Sequence, residues 1–261
     1  CGDMIKQMGE DCDDGNMVND DACSNMCKAA KCGDMIKQMG EDCDDGNMVD
    51  TDACLTTCKA AKCGDGKVQA GVEDCDDGNM VDNDACSNTC KVAQKFIFVS
   101  SMMYTGNLGG LVGADAKCQM LAQAASLPGT YMAWLSDATG SPSTRMTKAT
   151  VPYVRPDGMK VANNWTDLTD NSLIMAVNMT ETKGAVPIGN TSCAGGGFKT
   201  VWTNTTPAGL ANNNALYSCT NWTSVNGSSA WGKADDANTN WSQWCTGGVC
   251  SWNSPIYCVQ Q

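Results

Sequence analysis

The residues best suited to chemistry are acidic. Glu10, Asp11, Asp13, Asp14, Asn16 and Asp21 crowd around Cys12 and Gly15; the set returns as Glu41, Asp42, Asp44, Asp45, Asn47 and Asp52, and again as Glu73, Asp74, Asp76, Asp77, Asn79 and Asp84. Hard oxygen ligands at this density suit calcium, because like charges in one tight turn repel unless a divalent cation neutralises them. Gly15, Gly46 and Gly78 would allow the positive φ that such a turn needs. The expectation is one calcium ion per copy. The competing reading is a solvated acidic face that keeps the chain soluble and extended. An EF-hand is not the pattern, since its loop closes on a bidentate Glu at the twelfth position between two helices.

Catalytic chemistry has little to work with. The chain holds 18 Cys and no His, so a Ser-His-Asp triad, a Cys-His dyad and a histidine-ligated zinc are excluded. An even cysteine number without histidine favours disulfides over zinc, and paired sulfurs supply no thiolate. Asp235 with Asp236, or Asp167 with Asp170, could serve as a glycosidase pair, but their spacing carries no specific signal. Gly106, Gly109, Gly110 and Gly113 match neither G-x-G-x-x-G nor a Walker loop and read as a structural turn. The expectation is a non-enzymatic protein of an oxidising compartment, secreted or at the cell surface.

The elements that hold the acids are repeats. CGDMIKQMGEDCDDGNMV starts at Cys1 and again at Cys32, and 26 of 31 residues agree between the two units. A third copy starts at Cys63, with one extra residue before Cys75. This divides the array into residues 1–31, 32–62 and 63–94. Each unit has four cysteines and few large apolar residues beyond Met and Val, so its order must come from two disulfides, whose pairing the sequence leaves open among three choices. Cys1 is in register with Cys32 and Cys63, which argues against a lipidated N-terminus. No charged-then-apolar leader opens the sequence, as in a mature or trimmed chain, and no window resembles a membrane span.

Composition changes at Lys95: all 8 Trp, 5 Tyr and 3 Phe lie beyond it. Residues 1–94 carry 21 Asp and Glu against 8 Lys, and residues 95–261 carry 8 against 9 Lys and Arg. An array this acidic repels phosphate backbones and anionic lipid, so cations rather than nucleic acid are its natural partners. In residues 95–261, KFIFVSS (95–101) and TYMAWLS (130–136) read as strands. Ala114, Cys118, Leu121 and Ala125 read as one helix face, with Asp115 in the first turn. Trp134 and Trp202 sit in apolar context and read as core. Trp231, Trp241, Trp244 and Trp252 lie among polar residues and are candidates for stacking on a sugar. Seven N-x-S/T sequons begin at Asn164, Asn178, Asn190, Asn204, Asn221, Asn226 and Asn240; in a eukaryotic secretory pathway they would be glycan acceptors.

The pattern CGDG…CDDGN…DACSNTC, clearest in the third copy, resembles the disulfide repeats of myxobacterial-type surface proteins. Met4 and Met35 stand where that pattern has Gly, so the turn is expected to differ there. From Lys95 onward, GNLGGLVGADAKCQMLAQAASLPGTYMAWLSD, VWTN, YSCTNW and VCSWNSPIYCVQ resemble the endostatin-like branch of the C-type-lectin-like fold. That resemblance implies an α+β domain over residues 95–261 and pairs Cys118 with Cys258 and Cys219 with Cys250, leaving Cys193 for Cys245. Function transfers less well. The arginines of heparin binding are reduced to Arg145 and Arg155, zinc-binding histidines are absent, and no Glu-Pro-Asn, Gln-Pro-Asp or Trp-Asn-Asp tripeptide occurs. The resulting expectation is small disulfide-rich repeats followed by an α+β C-type-lectin-like (endostatin-like) domain. It would work as an adhesive filament or stalk subunit with calcium-stabilised repeats, partnered by its own copies or by a surface glycan or protein. The alternative is a carbohydrate-binding module on a repeat spacer.

Overall fold

A computed structural model describes residues 1–81, 86–190, 197–212 and 217–261. The chain divides into two compact units, Cys1–Ala93 and Gln94–Gln261.

Among its described residues the first unit has no helix or strand beyond isolated bridges. Every repeat is closed by two nested disulfides, the first cysteine to the fourth and the second to the third: Cys1–Cys27 around Cys12–Cys23, Cys32–Cys58 around Cys43–Cys54, and Cys63–Cys90 around Cys75–Cys86. Isolated bridges recur in register at Cys23 with Ala29, Cys54 with Ala60 and Cys86 with Val92. Among the described residues the buried apolar side chains of this unit are cysteines, Cys23, Cys27, Cys54, Cys58, Cys86 and Cys90. With no aliphatic or aromatic core to oppose chain entropy, the cross-links carry the folding.

The second unit is α+β. A five-stranded mixed sheet runs in the order β2-β8-β1-β3-β4 and a three-stranded antiparallel sheet in the order β5-β6-β7. The strands are β1 Lys95–Val99, β2 Tyr131–Ala133, β3 Tyr153–Val154, β4 Lys160–Ala162, β5 Thr200–Trp202, β6 Ser228–Lys233, β7 Cys245–Val249 and β8 Tyr257–Gln260. Central β1 is parallel to β3 and antiparallel to β8. Both of its faces are covered: Phe98 packs with Leu111, Cys118 and Trp202, whereas Ile97 and Val99 pack with Trp134, Tyr153 and Tyr257. A strand buried on both sides reads as a continuous apolar run, which is how FIFV appears in the sequence.

The long helix α1, Gly110–Ala124, begins earlier than the sequence pattern indicates, inside the glycine-rich segment. Asp115 therefore sits in its second turn rather than its first, and Ala125 lies just past its end. Gly113 is required there, because a Cβ would come 2.3 Å from the Leu108 carbonyl oxygen. Asp115 accepts the Ala133 N–H at 2.8 Å and pairs with Arg145 at 2.5 Å, tying α1 to β2 and to the short helix α2, Pro142–Arg145. A third short helix, α3, covers Trp165–Leu168.

Cys118 is bonded to Cys258, joining α1 to β8, and Cys219 is bonded to Cys250. Cys245 is also disulfide-bonded; Cys193 lies outside the described residues. Cys219, Thr220, Asn221 and Trp222 have φ of 49°, 55°, 56° and 62°, a left-handed turn of four side-chain-bearing residues. Such a turn costs about 1–2 kcal/mol per residue and persists only when its surroundings hold it. The holding contacts are the Cys219–Cys250 bond, the Leu108 N–H to the Trp222 carbonyl at 2.8 Å, and the Trp222 indole N–H to the Ser136 carbonyl at 3.0 Å.

Candidate functional site

In each repeat the first Asp after the second cysteine is turned inward. Asp44 accepts N–H bonds from Gly33 (2.8 Å), Asp34 (3.2 Å), Met35 (2.9 Å) and Gly46 (2.9 Å). Asp76 does the same with Gly64, Asp65, Gly66 and Gly78 at 2.8 to 3.2 Å. Asp13 takes those of Asp3, Met4 and Gly15, and its side chain is 0 % exposed. Burial pushes these carboxyls up, but the converging backbone N–H dipoles outweigh it and hold all three below the usual carboxylate range. The glycine turn, with the positive φ expected of it at 81°, 78° and 78° for Gly15, Gly46 and Gly78, closes around this carboxylate.

The neighbouring acids are also engaged locally. Glu10, Glu41 and Glu73 accept the N–H of Gln7, Gln38 and Gln69, each at 2.8 Å. The Oδ1 atoms of Asn16, Asn47 and Asn79 accept from Val18, Val49 and Val81 at 2.6 to 2.7 Å. Asp21 accepts from the Asn16 amide at 2.9 Å and the Cys23 N–H at 3.2 Å and interacts with Asp14; Asp52, with Asn47, Cys54 and Asp45, repeats the arrangement. Asp11, Asp42 and Asp74 form exposed ion pairs with Lys28, Lys59 and Lys91 at 3.0, 3.4 and 3.3 Å. Asp77 is exposed, and Asp84 lies outside the described residues.

The expected ligand set therefore divides into three groups per repeat. Glu10 and Asp13 approach Cys27, Glu41 and Asp44 approach Cys58, and Glu73 approaches Cys63 and Cys90. Those sulfurs are in disulfides and offer no thiolate. Calcium takes 6 to 8 oxygens at one point. The oxygens of Asp44 and Asp76 each accept two of the chain's own N–H groups.

Met4 and Met35 do not alter the turn as expected. Their φ values, 65° and 70°, follow the 83° of Gly66 in the third copy, because the Asp13 and Asp44 carboxylates need the following N–H in the same place. Each Met side chain lies over the glycine across the turn, Gly15 or Gly46.

The four candidate tryptophans separate into two pairs. Trp231 and Trp241 are 0 % exposed and cannot meet a sugar. Trp231 stacks on Trp202 at 5.1 Å, and Trp241 packs on Trp134 at 4.9 Å and edge-on to Tyr257 at 5.5 Å. Their polar neighbours misled because small polar residues such as Ser229 and Ser242 are themselves buried beside them. Trp244 and Trp252 are half-buried. Trp252 continues the stack from Trp231 at 6.2 Å, and Trp244 meets Phe198 edge-on at 5.0 Å. Lys233 Nζ lies 5.2 Å from the Phe198 ring centre and 5.8 Å from that of Trp244, and pairs with Asp236 at 3.0 Å. Asn240 also donates to Asp236, at 3.0 Å. This patch joins apolar rings to a cation, a carboxylate and an amide. Phe198 and Lys233 gave no sequence signal, since only the pairing of β5 with β6 brings their segments together. The acids considered as a glycosidase pair serve elsewhere, Asp235 on Lys199 at 3.0 Å and Asp236 on Lys233.

Residues 55–91, across the end of the second repeat and most of the third, match a family described as a domain of unknown function, DUF4215. No curated protein matches the chain. The first unit is a set of cysteine-rich, disulfide-bonded repeats, of which residues 55–91 carry the match, and the second is an α+β domain. Disulfides in this number belong to an oxidising compartment. Among the described residues no helix is long and apolar enough to cross a membrane.

Proposed function

We propose that this chain is an extracellular, non-enzymatic structural and adhesive protein, in which the repeats form a stalk or filament segment and the α+β domain is the binding or assembly head. The observation that carries this is the construction of the repeats. Nested disulfides and an inward carboxylate organise each unit without an apolar core, so units can be added in series at little cost in sequence complexity. The head is read as C-type-lectin-like of the endostatin branch, supported by its mixed sheet and by the Cys118–Cys258 and Cys219–Cys250 bonds. Calcium belongs to this proposal as one counter-ion per repeat for the crowded acids, among which Glu10 with Asp13 and Glu41 with Asp44 lie close together.

Light scattering of the whole chain across protein concentrations, with calcium or with chelator, tests the proposal. Growth into large species supports a filament subunit, with calcium-dependent growth assigning the ion a part in it. A monomer mass at every concentration removes the filament. The second reading, a carbohydrate-binding module on a spacer, draws on the half-buried Trp244 and its polar rim. A glycan array on which the native chain binds and Trp244→Ala does not would favour it.

A further inference from the structure

We propose that Asn226 is an acceptor for an N-linked glycan, the one sequon among those fully described that the fold presents with its side chain free. The proposal rests on the reading of an exported protein. The sequon at Asn190 runs into residues 191–192, outside the described residues, which leaves six to compare.

Transfer needs an asparagine amide that reaches solvent and a hydroxyl two residues on that the enzyme can approach. Asn204 is 1 % exposed, and its amide donates to the buried Ser136 carbonyl at 3.3 Å. In the Asn240 sequon the amide is held by Asp236, and the hydroxyl of Ser242 is 0 % exposed and bonded to the Thr205 carbonyl. Asn178 is held by Arg155, and its hydroxyl partner Thr180 is 1 % exposed. Asn164 caps α3 through the Asp167 N–H at 3.0 Å, and Asn221 lies in the left-handed turn with its oxygen on the Ala138 N–H at 3.2 Å; both are half-buried.

Asn226 differs in the asparagine itself. It is exposed, and only its backbone is engaged, the N–H donating to Ser224 Oγ at 2.9 Å. Gly227, with φ of 100°, turns the chain into β6, and its carbonyl is anchored by the Cys250 N–H at 3.2 Å. Ser228, which completes the sequon, is the half-buried first residue of β6. A glycan here would displace no contact and would stand on a fixed turn.

In the transfer the Asn226 amide nitrogen bonds to the anomeric carbon of an oligosaccharide carried on a polyprenyl diphosphate. The bond from that carbon to the diphosphate oxygen breaks, the polyprenyl diphosphate leaves, and the amide loses one proton; nothing is oxidised or reduced.

The whole chain, secreted from cells with an oligosaccharyltransferase, is treated with an amidase that releases N-glycans in heavy-oxygen water, and its peptides are mapped by mass. The expected result is a heavy-oxygen aspartate at Asn226, lost in Asn226→Gln with melting unchanged; spontaneous deamidation at the Asn226–Gly227 bond before release would carry no label. A secreted, fully disulfide-bonded chain with Asn226 unlabelled, or with the label at Asn204 or Asn240 instead, overturns the proposal. Retention inside the cell with titratable thiols overturns the export reading and this inference together, and thiol titration tells that case from the others.

Discussion

Removing the inner disulfide of the second repeat by Cys43→Ala with Cys54→Ala is expected to unfold that repeat while leaving the α+β domain intact. The bond closes a sequence separation of 11 residues. Chain-entropy reasoning assigns a loop of that size about 3 kcal/mol. A domain of ordinary stability holds about 0.05–0.15 kcal/mol per residue, or roughly 1.5–4.5 kcal/mol for a unit this short. The lost constraint is therefore most or all of what the repeat has, and among the described residues the buried apolar side chains of the repeat are the cysteines Cys54 and Cys58 themselves. The assay is native-state hydrogen exchange read by mass spectrometry. Peptides covering the Asp42 N–H bonded to the Cys58 carbonyl at 2.8 Å, and the Leu55 N–H bonded to the Lys59 carbonyl at 2.9 Å, should lose about a hundredfold in protection. Peptides from β1 and β8 should not change. If the repeat keeps its native protection without the inner bond, the carboxylate network alone suffices to fold it, and the cross-links are not what holds the unit together.

Three further outcomes follow from the same geometry. Met35→Gly should stabilise the second repeat by up to about 1 kcal/mol, since the left-handed penalty of about 1–2 kcal/mol exceeds the added unfolded-state entropy of glycine; a lower melting midpoint would mean that the Met35 side chain over Gly46 matters more than its backbone. Acid should loosen the array. Because Asp13, Asp44 and Asp76 are held below their ordinary pKa, their stabilising contribution is present above the unfolded carboxyl range near pH 4 and fades as pH falls through the lower folded values, so circular dichroism of the array that shows no transition at any acid pH would contradict the network. Gly248→Ala should cost more than about 3 kcal/mol or prevent folding of the α+β domain, because its Cβ would fall 1.2 Å from the buried Trp231 ring, where overpacking has no room to relax; an unchanged tryptophan emission and melting curve would refute that packing.

Much of the architecture was legible in the residues. The 31-residue identity, the cysteine register and the abrupt arrival of aromatic residues divided the chain near residue 94, close to the division between compact units at Ala93 and Gln94. KFIFV was visible as a strand because both its faces are buried, and Trp134 and Trp202 as core because their neighbours are apolar. The start of α1 was hidden by glycines that close packing against Leu108 demands, and the burial of Trp231 and Trp241 was hidden by small polar neighbours that are buried with them.

What the sequence determined by itself is the set of groups that must be satisfied: cysteines to be paired, carboxylates to be neutralised or bonded, and aromatic rings to be covered. Only the tertiary structure decided how. Four cysteines allow three pairings, and the nested one is selected because the turn between Cys12 and Cys23 brings those two together while the flanking segments meet at Cys1 and Cys27. Carboxylate density is compatible with an ion or with backbone donors. The turns aim the N–H groups of Gly33, Asp34, Met35 and Gly46 at Asp44, and that aim is a property of φ and ψ across two segments about ten residues apart, which composition and spacing do not contain.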